Sequence, residues 1–412
     1  MSVEGPLIAA IISRLAEPKF NLAAHGIAFS FALIIEAPII MIMSASTALV
    51  KNRQTFLKLR NFTYIANGLI TVIMLIFIIP DVFSFVTEYL LELPKEVAEL
   101  TYIDTIILLP WPAAIGYRRF YQGLLISDNK TVKVTLGTII RLFFMGITAF
   151  GLYLFTDFHG VIVGGSALSA GVIAEGLASK IMARDIEKRL RANHTHPERI
   201  SYRGIMKFYY PLALTSLLSL GVYPMVTFFM GHSRLSIESL AILPVVNSLV
   251  FIFRSLGLSY QEVGIAMMGE NFANYKKLRD FGWILGGSVI VGLSIIAYTP
   301  LANFWFETVS GLTYELSELS INTLAIVTIL PALTVLISFQ RAVLVYARNT
   351  SPITFATAAE VTGIIVVLFI TINMFDMIGA YGAAIAYMIG RIAANFYLVP
   401  PYMKSIRTGI KK

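Results

Sequence analysis

The 412-residue sequence contains no cysteine, which excludes disulfides, zinc–thiolate sites and thiol catalysis. Charge is scarce as well: Asp, Glu, Lys and Arg make up 14% of the residues, against about 25% in a soluble domain. No polar linker of the kind that joins soluble domains interrupts the chain. There is no Walker-type GxxxxGK[ST] loop, hence no encoded ATP-driven engine, and the histidines show no metal-ligand spacing. Neither a Ser/His/Asp set nor an HExxH motif supports an intramembrane enzyme, and no soluble sensory domain supports a receptor. No basic n-region opens the sequence, so no cleaved signal peptide is expected.

What is present is apolar: 57% of the residues are hydrophobic and the mean hydropathy is +0.76. Runs of about 20 apolar residues, enough to cross a bilayer, recur along the whole chain. Only helices and closed barrels satisfy their backbone groups in lipid. Runs rich in Leu, Ile, Ala and Gly favour helices over alternating barrel strands. Twelve spans are predicted, at 1–15, 22–50, 61–86, 100–126, 131–156, 160–183, 205–230, 237–268, 281–306, 316–347, 351–375 and 379–403.

The formal charge of +8 is a topology signal and not a nucleic-acid footprint. With the N-terminus in the cytoplasm, 25 of the 32 basic residues fall on the inner side, as the positive-inside rule requires. They cluster at Lys51–Arg60, at Arg118–Lys133 and in the stretch from Lys180 to Lys207, then at Lys276–Arg279, Arg341 with Arg348, and Lys404–Lys412. The acidic segment 87–100 falls outside. Both termini are expected in the cytoplasm, and the expected location is the plasma membrane.

The chain also repeats itself at a shift of 219 residues. Leu59-Arg60-Asn61-Phe62 matches Leu278-Arg279-Asp280-Phe281, Pro112 matches Pro331, Gly160 matches Gly379, Gly171 matches Gly390 and Ala174 matches Ala393; Pro6 matches Pro224 at 218. The expected fold is therefore all-α and integral to the membrane: twelve helices as two six-helix repeats, related by a pseudo-twofold along the membrane normal. The lobes are 1–190 and 204–412, joined by a cytoplasmic linker at 191–203, and the protein is expected to be a monomer. By the same register Met1 falls inside the first helix, so that helix is expected to be truncated.

A charged residue inside a span is a functional hypothesis by default. Glu36 lies midway along the second span and Arg254 midway along the eighth. Asn247, Arg254 and Gln261 recur every seven residues on one face, with Glu262 beside them. Glu4 lies in the first helix. Arg141, Glu175, Glu360 and Arg391 form a secondary set in the fifth, sixth, eleventh and twelfth spans. Glu36 is equivalent to Arg254 at a shift of 218, and Arg141 to Glu360 at 219, so acid and base occupy matching depths. The competing reading is that such charges only staple helices together. Arg118 and Arg119 are read as snorkelling, His25 as a packing residue and His194 with His196 as a solvated loop pair.

At this point the chain resembles the multidrug and toxin extrusion (MATE) type of transporter in the multidrug/oligosaccharidyl-lipid/polysaccharide exporter superfamily. The carrying segments are Leu22-Ala23-Ala24-His25-Gly26-Ile27-Ala28-Phe29, Tyr210-Pro211-Leu212-Ala213-Leu214, Tyr346-Ala347-Arg348-Asn349-Thr350 and Gly379-Ala380-Tyr381-Gly382-Ala383-Ala384-Ile385-Ala386. Glu4, Pro38 and Ser259-Tyr260-Gln261-Glu262-Val263 look similar to the progressive ankylosis proteins, an anion-exporting branch. The resemblance implies secondary-active efflux of a small organic or phosphorus-containing anion by rocker-switch alternating access, through a cleft lined by the first, second, seventh and eighth helices. Arg254 would attract the anion, and Glu36 and Glu262 would bind a coupling proton or sodium ion, with no other cofactor. The alternatives are a multidrug or organic-cation antiporter, a lipid-linked glycan flippase, or a membrane enzyme or receptor. Span 205–230 lacks the carboxylate that sodium-coupled MATE proteins place there.

The orientation is testable with single cysteines, because the native chain has none. A cysteine introduced at position 194 should resist an impermeant maleimide in right-side-out cells, whereas cysteines within 87–100 and 307–315 should react. Labelling at 194 would reverse the topology.

Overall fold

The computed structural model describes residues 4–192, 200–347, 349 and 351–410, and these are helical throughout, with no strand among them. Met1, His194, His196 and Arg348 lie outside the described residues. The first half runs α1 (Glu4–Ile12), α2 (Pro18–Glu36), α3 (Ile42–Leu49), α4 (Arg53–Phe77), α5 (Pro80–Ser84), a π-helical turn at Phe85–Leu90, α6 (Lys95–Ile107), α7 (Trp111–Ser127), α8 (Thr131–Phe155) and α9 (Gly160–Ala192). The second runs α10 (Tyr202–Leu220), α11 (Val222–Gly231), α12 (Ser236–Met267), a short 3-10 turn at Glu270–Phe272, α13 (Tyr275–Ala297), α14 (Leu301–Asn303), a π turn at Phe304–Val309, α15 (Tyr314–Ile326), α16 (Leu330–Tyr346), α17 (Ser351–Leu368), a π turn at Phe369–Met374 and α18 (Gly379–Ile410).

Ten helical stretches among the described residues are long and apolar enough to cross a membrane, against twelve expected. The first expected span holds only the nine-residue α1. The fourth is divided into α6 and α7 by the turn 108–110, where Pro110 and Pro112 cannot donate to an unbroken helix. Tight turns close the gap, from Leu108 N to Asp104 O at 2.9 Å and from Trp111 N to Leu108 O at 2.9 Å. Pro38 divides the second span in the same way, into α2 and α3. The carbonyl of Pro38 accepts the Tyr209 hydroxyl of α10, so the broken turn keeps its polar group satisfied.

Burial sorts the helices into inner and outer. In α8 only 17% of the span is buried, against 61% in α9. The exposed side chains of α8 include Val132, Leu136, Ile139, Phe143, Ile147, Phe150 and Leu154, a stripe spaced three or four apart, while Gly137, Arg141, Met145 and Ala149 line the buried face. An apolar stripe of this length facing outward is unstable in water and natural in lipid. Helices α4 and α13 present similar stripes.

By contacts the chain forms two compact units, Leu15–Pro224 and Met1–Arg14 with Met225–Lys412. They run differently along the chain from the lobes 1–190 and 204–412, because α1 and α10 each pack with the helices of the opposite half. In one unit α1 lies on α12, and its end is tied down by Ser13 Oγ and Arg14 donating to the carbonyls of Ser310 and Thr308. In the other, α10 packs on α2, α3 and α4, and Lys58 Nζ reaches the carbonyl of Ile200 at 2.8 Å.

Element bounds recur at the sequence spacing. Helices α6 and α15 begin 219 residues apart and have 13 residues each, and α7 and α16 begin 219 apart and have 17 each. Asn21 Oδ1 accepts Val161 N at 3.0 Å at the start of α9, and Ser239 Oγ accepts Ala380 N at 3.0 Å at the start of α18. Both side chains are fully buried, so each satisfies a helix-end donor that has no water to turn to. Asn21→Ala and Ser239→Ala are each expected to cost about 1–3 kcal/mol, read as a lowered thermal unfolding midpoint in detergent. An unchanged midpoint would show that water replaces the cap.

Candidate functional site

In the unit 15–224 a buried ion network is built on α7. The break at 108–110 restarts the helix at Trp111, which puts Trp111, Arg118 and Gln122 seven and eleven residues apart on one face. Three neighbours bring charges to that face: Glu36 from the end of α2, Arg141 from α8 and Glu175 from α9. Trp111 Nε1 donates to Glu36 Oε2 at 2.6 Å. The Arg141 guanidinium lies over the Trp111 ring at 5.4 Å from its centroid, and its Nη1 is 3.8 Å from Glu175 Oε2. Arg118 donates to the same Oε2, and Gln122 Nε2 donates to Oε1 at 3.0 Å. Glu36, Arg118, Arg141 and Glu175 are all buried.

Arg118 is thus an interior ion-pair residue and does not snorkel. Its neighbour Arg119 is half-buried and donates to the Met43 thioether at 3.6 Å, a weak acceptor, with no carboxylate partner among the described residues. His25 is also more than packing. Its Nδ1 lies 2.7 Å from Oδ2 of Asp104 on α6. Asp104 escaped the sequence reading, although an aspartate within Ile103-Asp104-Thr105-Ile106-Ile107 carries the same signal as Glu36.

In the other unit a second network joins α16, α17 and α18. Arg391 Nη2 pairs with Glu360 Oε1 at 2.8 Å, and Arg341 Nη2 donates to Thr357 Oγ1 at 3.3 Å. Asn395 Nδ2 donates to the carbonyls of Leu333 and Arg391 at 3.2 and 2.9 Å, and Gln340 Nε2 to the carbonyl of Asn395 at 3.2 Å. Arg141 and Glu360, equivalent in sequence, therefore each find a partner within their own unit. On α12, Asn247, Arg254 and Gln261 share one face and are half-buried. Arg254 Nε is buried without a hydrogen-bond partner, and Arg254 has no ion-pair partner among the described residues. Glu4 is buried on α1, which packs on α12. The Glu262 side chain lies outside the described residues.

The network has a stability signature. Glu175→Gln leaves two buried guanidinium groups without their shared carboxylate and should cost about 3–5 kcal/mol. Arg118→Met leaves Arg141 and Glu175 as a one-to-one pair and should cost less. The order of the two unfolding midpoints in detergent checks this, and the reverse order would show that Glu175 does not hold the network together.

No family model matches this chain, and no curated protein matches it. Solved structures share its fold. An inward-facing multidrug resistance MATE family transporter of the MOP superfamily is 16% identical with a TM-score of 0.77, covering 100% of this chain and 96% of that one. The lipid II flippase MurJ in an inward closed conformation is 15% identical with a TM-score of 0.76, covering 100% and 88%. A MOP superfamily transporter from Pyrococcus furiosus, described by the reverse polarity of its binding pocket, is 14% identical with a TM-score of 0.57, covering 100% and 96%. At these identities the likeness is one of fold: this chain is an all-helical, multi-pass protein with the architecture of MATE and MOP superfamily transporters.

Proposed function

We propose that this protein is a secondary-active transporter, not an enzyme, that exports a small organic or phosphorus-containing anion by rocker-switch alternating access. The observation that carries the anion reading is Arg254. It stands half-buried on a membrane-spanning helix, on one face with Asn247 and Gln261, and like Arg119 and Arg341 it has no ion-pair partner among the described residues, whereas Arg118, Arg141 and Arg391 each have a carboxylate. A guanidinium held in a low-dielectric setting without a counter-charge attracts an anionic ligand. The resemblance to the ankylosis branch points to the same class.

The finer organisation belongs to the same proposal. Twelve spans in two repeats are supported by the 219-residue spacing of α6 with α15 and α7 with α16. The lysine and arginine distribution supports cytoplasmic termini. Glu36 and Glu262 are assigned to a coupling cation, proton or sodium, and Asn247, Gln261 and Glu4 to the surroundings of Arg254. Plasma membrane location and a monomeric state complete the reading.

Comparing metabolites in medium and cells with and without the protein tests the substrate class. Organic anions should accumulate outside; resistance to cationic dyes without anion release would favour the organic-cation antiporter instead. Arg254→Ala should lower export of the accumulated anion by at least about tenfold, the loss of about 1.4 kcal/mol of binding or more, with folded protein still in the membrane. Glu36→Ala/Arg254→Ala separates the roles: full export by the double variant would reduce Arg254 to a staple.

A further inference from the structure

The ionisable pair that this reading leaves unused is His25 with Asp104. Asp104 lies on α6, within the expected fourth span, and has no solvent exposure. Its Oδ2 is 2.7 Å from His25 Nδ1, and its Oδ1 has no hydrogen-bond partner among the described residues. Opposite that oxygen stands Gly165 of α9, where an added Cβ would lie 2.1 Å from Oδ1. The missing side chain is what leaves the carboxylate its room. The His25 side chain is 12% exposed, so the imidazole is the pair's contact with its surroundings.

Among the described residues His25 is the one ionisable group that acts on Asp104. On α2 the next carboxylate, Glu36, is bound to Trp111. On α9 Glu175 is taken up by Arg118, Arg141 and Gln122. On α6 itself Lys95 and Glu99 are exposed and lie 4.0 Å from each other, and Glu88 of the adjoining π turn is exposed. The pair is nevertheless linked to the ion network by rings. His25 stacks on Phe29 at 6.4 Å, and Phe29 meets Trp111 edge-on at 5.9 Å.

We propose that His25 and Asp104 form a further proton-binding site, separate from the cation assigned to Glu36 and Glu262, that couples proton movement to transport, an assignment that rests on the transporter reading. With one proton held between Nδ1 and Oδ2, on the carboxyl oxygen and donated to the ring nitrogen, the pair is neutral, as imidazole and carboxylic acid. Without it a lone carboxylate remains inside the membrane, a costly state. The proton is therefore taken from water on one side of the membrane, kept while the pair is shielded, and given up only when the imidazole meets water on the other side. A helix staple is equally well made by two amides. An imidazole adds a group that can take up and release a proton.

Infrared difference spectroscopy of the purified full-length protein in liposomes tests the site without a substrate. As pH is scanned, a carboxyl C=O band should appear and vanish in the wild type. It should be lost in Asp104→Asn, which keeps the hydrogen bond to His25 and so the staple, and its midpoint should move in His25→Gln and in Gly165→Ala. A wild-type spectrum without such a band, or one unchanged by Asp104→Asn, overturns the site. Coupling is read separately, by citrate efflux from proteoliposomes under an imposed pH gradient. The gradient should accelerate efflux by the wild type and not by Asp104→Asn; equal acceleration overturns the coupling role. If the wild type moves no citrate, the anion reading of this probe fails while the infrared band still decides the site.

Discussion

A carboxylate with no solvent exposure must be paid in hydrogen bonds and counter-charge, and Glu175 meets that demand with two donors on α7 and the Arg141 guanidinium of α8 at ion-pair distance. Much else in the unit 15–224 follows from it. Arg118 and Gln122 stand one turn apart on α7, so α7 must present that face to α9. Arg141 must turn inward from α8, whose opposite face is wholly apolar. Trp111 then lies beneath the Arg141 guanidinium and donates to Glu36, which fixes the end of α2 at the Pro38 break. In lipid these groups have no competing solvent, so the geometry of four helices is set by one acid.

The second network solves the same problem with less. Glu360 and Arg391 form one pair, Arg341 donates to Thr357, and the amides of Asn395 and Gln340 donate to backbone carbonyls, while Asn395 Oδ1 and Gln340 Oε1 have no hydrogen-bond partner among the described residues. Helices α6 and α15, and α7 and α16, match in length and spacing, but the two interiors differ in chemistry. Arg141 and Glu360 hold equivalent positions with opposite charge, and each is neutralised locally. Divergent interiors on a common scaffold are the condition for dividing tasks such as ion coupling and substrate contact between halves of one chain.

Helix positions were largely legible in the sequence because apolar length and basic flanks are local properties. The breaks at Pro38 and 108–110 were less so: prolines are tolerated within membrane helices, and the hydroxyl that satisfies the Pro38 carbonyl comes from Tyr209, 171 residues away. Arg118 looked like an interfacial residue because it is followed by Arg119 and polar neighbours, and only its contact with Glu175 on another helix shows it to be interior. His25 was undervalued for the same reason. A histidine on an apolar face is unremarkable until its partner is known, and Asp104, 79 residues on, carries no periodic signal of its own.

The packing of α1 on α12 has a consequence for biosynthesis. Gly5 faces Ser248, and Ser13 and Arg14 bind carbonyls beyond residue 300. At about 5–20 residues per second, the ribosome makes those partners roughly 10–60 seconds after α1 has emerged. The contacts that hold α1 therefore form only after most of the chain has been made, so the unit to which it belongs cannot be completed early in synthesis.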